Sequence, residues 1–386
     1  MRHWCGQRRD ETRARLRRRG REPRQGHPHA RLMRVLFLQQ QPCIRTLKYA
    51  AGLRALVPGL QLGFACRGRT LSGFYGTGDE LFDRWWPLGD EPLVEISDVV
   101  SQFKPDLVHC HNLPDQLTVL AQKATDGRIP VIHDVHDFQS LRRTPYRDGF
   151  PQPGDPLALE QRAVEGSAAV VTVSDALLAE IAARYRLPGH TLVFANYAIG
   201  ASLPPELPSW NRPRDGAWRV VYQGTLFVDG GHYDLRELFR TLARGGVELH
   251  VYPARRAPEY QALDGICWHD RLDPHALLRA LPEYDYGWAG FNAALNGAHL
   301  DTVLPNKLFE YLACGLPVLT LRHHALEQFV REHGVGLALD DLDDLGARLD
   351  AIDLPALRRR ITELRPAFTV ERNIHRVVEF YEAVTR

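Results

Sequence analysis

Two short apolar runs, DLVHCHN and PVIHDVHD, gather side chains that can do chemistry. His109, His111, His133, Asp134, His136 and Asp137 all fall within them. In a strand, alternation puts His109 and His111 on one side and Cys110 on the other. His111 then sits at the strand end, facing whatever lies beyond the sheet. Imidazoles and carboxylates in these numbers are sufficient ligands for a metal ion. Their spacing matches no strong metal motif such as H-E-x-x-H. The same groups could hydrogen-bond one another and cap neighbouring helices. The reading carried forward is a substrate-facing role, without metal, for at least one histidine.

A second constellation is LPNKLFEYLACGLPVL, residues 304–319. Asn306 is placed to cap a helix start. Leu308, Phe309, Leu312 and Ala313 recur at helical spacing, and Gly315 and Pro317 end the helix. Lys307 and Glu310, three apart, share a side of it. A surface ion pair is the plain explanation, worth little. The chemical alternative is specific: two carboxylate oxygens match the vicinal hydroxyls of a ribose, and the lysine supplies charge to a phosphate. A third stretch, YQGTLFVDGGHYDLRELF, runs a strand into Gly224, and Gly230 and Gly231 precede a helical pattern. Glycines there let backbone amides approach an anion at a helix start, or simply make a tight turn.

These residues need elements to position them. RVLFL, QLGFAC, PDLVHCH, PVIHDVHD, AAVVTVS and TLVFAN read as buried strands alternating with helical segments. WRVVYQG, VELHVYP, GICWH, YDYGWAGF, LPVLT and VGLAL form a second such series. Apolar strands separated by helices predict parallel sheets covered on both faces, here two similar doubly wound α/β units. The expected division is residues 33–200, a Pro-rich linker at 201–216, residues 217–370, and an amphipathic terminal helix at 371–386. Ligands should gather beyond the carboxyl ends of the strands, in a cleft between the units.

Bulk composition narrows the classes. The 386 residues are 44% hydrophobic and 25% charged, with no apolar run long enough to span a membrane. Residues 1–32 hold eleven arginines against three acids, a local +8 that leaves the rest at −7 of a net +1. Such a head could bind nucleic acid or anionic lipid. Met33 followed by RVLFLQQQ reads better as a natural start, with 1–32 a disordered or mis-assigned leader. Only Lys48, Lys104, Lys123 and Lys307 are lysines, and none of the six cysteines forms a C-x-x-C pair. A reduced, cytoplasmic protein is the default expectation.

PNKLFEYLACGLPVL resembles the donor-site signature of family 4 glycosyltransferases of the GT-B fold. DLVHCHN, PVIHDVHD and RVVYQGTL resemble further motifs of that family, in its order, across roughly residues 33–340. The resemblance implies two Rossmann-like domains facing a deep cleft, the C-terminal one holding a nucleotide-sugar donor. It implies transfer to a hydroxyl acceptor (a glycan, a lipid-linked glycan or a small molecule) with retention at the anomeric carbon. Neither a metal nor a cofactor is implied, and no nucleic acid. Carried over, Glu310 would bind the ribose, with Lys307, Asn306, Val303, Leu304, Thr302 and Gly224 around the donor. His111 would point at the reacting sugar; His136, Asp137 and His109 would lie on the acceptor side. The sequence leaves room for peripheral contact with the inner face of a membrane.

Three departures stand out. Thr302 occupies the place of a second glutamate, with Asp301 beside it. The loop TLFVDGGHYD lacks Arg and Lys, His232 being its only basic group, so Arg271 or Arg322 would have to face the diphosphate unless Lys307 and helix dipoles suffice. QQQPCIRTLKYA replaces a glycine-rich loop, leaving Arg45 and Lys48 either to bind an anion or to be solvated. These departures keep alternatives open: a nucleotide-sugar epimerase, a metal-dependent hydrolase, or a non-catalytic nucleotide-sugar binder.

Overall fold

Strands built from Val, Ile, Leu and Phe without polar alternation need cover on both faces, and parallel sheets flanked by helices give it. A computed structural model describes residues 33–143, 155–207 and 216–386; the Arg-rich leader, residues 144–154 and half of the expected linker, 208–215, lie outside the described residues. The first sheet comprises β1 (Arg34–Gln39), β2 (Gln61–Cys66), β3 (Arg84–Pro87), β4 (Leu107–His111), β5 (Val131–Val135), β6 (Ala169–Thr172) and β7 (His190–Val193), in the order β3-β2-β1-β4-β5-β6-β7. The second comprises β8 (Trp218–Gly224), β9 (Val247–Pro253), β10 (Ile266–Trp268), β11 (Tyr286–Trp288), β12 (Val318–Leu321) and β13 (Gly336–Leu339), in the order β10-β9-β8-β11-β12-β13. All strand pairings are parallel. Each of the twelve expected strands is present. The unanticipated one, β3, is a four-residue edge strand, RWWP, whose terminal proline is tolerated because no further strand pairs beyond it.

Alternate residues of one strand serve opposite faces. In β1, Val35 and Phe37 join one apolar cluster while Leu36 and Leu38 join another. The chain reverses direction across the sheet between β1 and β4, and again between β8 and β11. At such switch points the connections leave to opposite faces and open a crevice beyond the strand ends.

The terminal helix, His375–Val384, does not stand apart. Ile374, Val377, Phe380 and Tyr381 are buried with Val35 and Phe37, so the chain's last turns cover the first sheet. Backbone passes between the lobes near Ala198 and Thr369, which bridge one another. Ala198 donates to Phe368 O (3.0 Å) and accepts from Val370 N (2.8 Å). Gly52, within the Ile44–Leu56 helix, permits this docking: a Cβ there would lie 2.5 Å from Val370 Cγ1. A glycine in a helix interior costs about 1 kcal/mol, and the close approach it permits offsets that. Among the described residues no helix is long and apolar enough to cross a membrane.

Candidate functional site

The two switch points open on one cavity of about 1270 Å³ between the lobes. Small-molecule sites usually occupy about 300–1000 Å³, so this one has space for two substrates together.

The second-lobe wall is built from the end of β8 and the Asn306–Ala313 helix. Leu308, Phe309, Leu312 and Ala313 bury one face of that helix, which fixes its rotation and turns Lys307 and Glu310 toward the cavity. Lys307 and Glu310 do not pair directly. Lys307 is buried with Nζ 4.0 Å above the Tyr222 ring and 5.0 Å from the Phe291 ring, and it has no hydrogen-bond partner. A lysine set between aromatic faces and lacking a hydrogen-bond partner is an invitation to an anion. Glu310 accepts from Gln223 Nε2, and its nearest cation is Lys48 of the first lobe, at 3.7 Å. Gly224, at φ +135°, ends β8 beside them; a Cβ there would sit 3.6 Å from Lys307 Nζ. Val303 and Leu304 also line the cavity.

Several expected positions differ. Pro305, not Asn306, holds the helix cap, because the extended backbone before the helix falls one residue earlier; Asn306 instead accepts from Lys48 Nζ at 2.6 Å. Thr302 turns inward: its hydroxyl donates to His299 O at 2.8 Å and it is off the cavity wall. Asp301 accepts from His324 N, at the end of a different turn. The amides of Gly230 and Gly231 are taken by Asp234 and Asp229, so that loop offers neither to an anion. His232 lines the cavity, but burial lowers its pKa to about 4, so it brings no charge at neutral pH. Arg271 lines the cavity and donates to Phe74 O at 2.9 Å, whereas Arg322 is paired with Asp340 (2.7 Å) and Glu327 (3.6 Å), away from it.

The first-lobe floor corrects the histidine assignment. His109 and His111 do share a side of β4, their rings stacked 4.7 Å apart, but both are fully buried. His109 is bound between Tyr381 OH (2.6 Å) and Asp134 Oδ2 (3.1 Å), so it cannot reach an acceptor. His111 lies 3.6 Å from Asp134, fully buried beneath the floor and off the cavity wall. Asp134 is also gripped by Arg45, whose Nε is 3.0 Å from both carboxylate oxygens. Arg45 is therefore a buried anchor that reaches the cavity wall, not a solvated charge. His109, His111 and Asp134 could hold a metal by position alone. Arg45 already balances the carboxylate there, and a cation would have to displace it.

His136 and Asp137 do line the cavity. Asn112 holds them: its Oδ1 accepts from both backbone amides, at 3.0 and 3.3 Å. Burial lowers the His136 pKa against the pull of Asp137, leaving a neutral imidazole with Nδ1 unpartnered. Burial alone would raise Asp137, but the hydrogen bond from His299 Nε2 (3.0 Å) and the charge of Arg142 hold it below the usual carboxylate range.

The sequence reading missed the bonds that close the cavity. Lys48 Nζ donates to Asn196 O at 3.0 Å as well as to Asn306, and Asn196 Nδ2 donates to Leu304 O at 2.8 Å. Two of only four lysines thus face one space; that rarity was the available signal. Burial lowers Lys48 to about 8 and Lys307 to about 7, although Glu310 pulls both upward. A diphosphate between them would raise both again. Binding of a nucleoside diphosphate is therefore expected to take up protons, and its affinity to fall as pH rises from 7 to 9. The free protein shifts the other way: with folded values below the ordinary 10.5, it gains stability as pH rises from about 7 toward 10. Calorimetric titration in buffers of different ionisation enthalpy reads the uptake; none between pH 7 and 9 would rule the lysines out as the titrating pair.

The model for glycosyltransferase family 4 matches residues 80–196, and that for the C-terminal domain of glucosyltransferase 3-like proteins matches residues 230–367. No curated protein matches by sequence. Sucrose-phosphate synthase from Thermosynechococcus elongatus superposes with TM-score 0.64 at 14% identity, covering 91% of this chain and 99% of that one. Anabaena HepE in complex with UDP gives 0.63 at 15%, covering 91% and 100%. UDP-GlcNAc 2-epimerase from Neisseria meningitidis, bound to UDP-GlcNAc, gives 0.55 at 12%, covering 91% and 100%. At these identities the likeness is one of fold.

Proposed function

We propose that this chain, which matches the models of glycosyltransferase family 4 and of the C-terminal domain of glucosyltransferase 3-like proteins and shares the GT-B fold, moves a sugar from a nucleotide-sugar donor to a hydroxyl acceptor, with retention at the anomeric carbon and no metal at the reaction centre. One observation carries the reading. Glu310, Lys307 and the start of their helix face His136 across a cavity large enough for both substrates.

In this reading Glu310 accepts from the two ribose hydroxyls. Lys307, Lys48 and the amides at the helix start hold the diphosphate and stabilise it as it departs. The anomeric C–O bond to phosphate breaks and a C–O bond to the acceptor forms on the same face. The acceptor's proton passes to the leaving phosphate oxygen, so no protein nucleophile is required. His136, neutral and exposed to the cavity, takes the sugar-facing place expected of His111. A lipid-linked acceptor would be met peripherally, at the inner face of a membrane.

The test is incubation with a panel of nucleotide sugars and hydroxyl acceptors, with the product's anomeric configuration read by NMR. Retention is expected, at rates independent of added Mg²⁺ or Mn²⁺. His136→Ala should lower kcat by about 10²-fold with the melting temperature unchanged. An inverted product, or nucleotide sugar converted without any acceptor, would overturn the reading.

A further inference from the structure

Away from the cavity, the outer strands of the second sheet bring a different set of side chains together. β9 and β10 pair in parallel with Cys267 opposite His250. Strand alternation therefore places Glu248, His250, Cys267 and His269 on one face. Glu248 Oε1 lies 3.3 Å from His250 Nε2 and 3.4 Å from Cys267 Sγ. The ligand atoms of these three residues all fall within 4.8 Å of one another. A tetrahedral zinc centre, with Zn–S about 2.3 Å and Zn–N and Zn–O about 2.0–2.1 Å, requires neighbouring ligand atoms roughly 3.3–3.6 Å apart. The two measured edges match that spacing.

His250 is also oriented as a ligand would be. Its Nε2 is buried and faces Glu248 without a well-aligned hydrogen bond, while its Nδ1 is 2.9 Å from His269 Nε2. A ligating imidazole characteristically donates its other N–H to a nearby acceptor, which fixes the tautomer and aims the free lone pair. His269 is that acceptor, and it is itself held by the Tyr252 ring stacked 4.3 Å away. Thiolate, imidazole and carboxylate together are the donor set of a borderline-soft ion.

We propose that Glu248, His250 and Cys267 form a binding site for a divalent transition metal of the zinc class, with His269 orienting His250. Solvent supplies the fourth ligand, since Glu248 is 44% exposed and leaves a path for the ion. On binding, the Cys267 thiol proton leaves to solvent and the S–metal bond replaces the S–H···O contact with Glu248. The ion ties the three-residue edge strand β10 to β9, and with it the segment carrying Arg271 to the cavity. The site does no chemistry on the sugar and stands whether or not the proposed transfer does.

Co²⁺ titration of the full, chelator-stripped chain tests it. One equivalent should produce a thiolate-to-cobalt charge-transfer band with the visible bands of a tetrahedral ion. The band should vanish in Cys267→Ser and in His250→Ala, and persist in Cys5→Ser and Cys110→Ser. Zn²⁺ should raise the melting temperature of the wild type and leave both ligand variants unmoved. Absence of the band, its survival in Cys267→Ser, its loss in Cys5→Ser or Cys110→Ser, or a melting temperature indifferent to zinc would each overturn the assignment.

Discussion

Glu310→Ala is expected to weaken nucleoside diphosphate binding by about 10- to 100-fold. Hydrogen bonds to a charged acceptor contribute about 1.5–3 kcal/mol, and the loss is felt in full because the partners left behind are enclosed. Gln223 loses its acceptor, and Lys48 loses its nearest carboxylate, so the positive wall of the cavity is disturbed as well. A sugar-specific readout separates recognition from general damage. Wild type should prefer a ribonucleoside diphosphate over its 2′-deoxy counterpart, and the variant should bind the two alike. If calorimetry shows the variant still preferring the ribonucleotide, the carboxylate does not read the diol.

Arg45→Met is expected to cost about 3–5 kcal/mol of stability, because it strands a buried carboxylate. Besides both oxygens of Asp134, the guanidinium holds Asn196 Oδ1 (3.1 Å) and Tyr49 OH (3.0 Å). Burial alone would raise the Asp134 pKa; Arg45 first, then His109, keep it well below the usual range. In wild type this stabilisation is present above about pH 4 and lost only as pH falls through the depressed folded value. In the variant burial dominates and the folded pKa rises above the unfolded one. The deficit should therefore be smaller at pH 5 than at pH 8, where folding must bury the charge. Urea unfolding at both values measures it. Asp134→Asn added to Arg45→Met should recover part of the loss; a single-variant cost under about 1 kcal/mol would show that Arg45 is not the anchor.

What could be read from the residues was local. The apolar runs announced their strands, and the strand ends announced where ligands gather, so Gly224, Lys307 and Glu310 face the cavity as the spacing implied. Depth was not legible. Alternation put His111 on the correct side of β4, but only the side chains of Arg45, Asp134 and Tyr49, brought in from other elements, decide that it lies under the floor. The same gap separated Lys48 from Glu310. No local rule joins a helix in one lobe to a helix in the other, so nothing in TLFVDGGHYD could show that Lys48 reaches the same cavity from across the cleft. Asn306 failed as a cap for a smaller reason: Pro305 fits the extended cap position.

The bridge between Ala198 and Thr369 bears on how the polypeptide can be divided. The first lobe is discontinuous in the chain: residues 33–200 without the final helix would present a bare apolar flank to water. The second lobe, by contrast, is an insertion whose two stems stand side by side. A short turn joining those stems would close the first lobe on itself, whereas a cut at the apparent boundary near residue 200 would leave it unfinished.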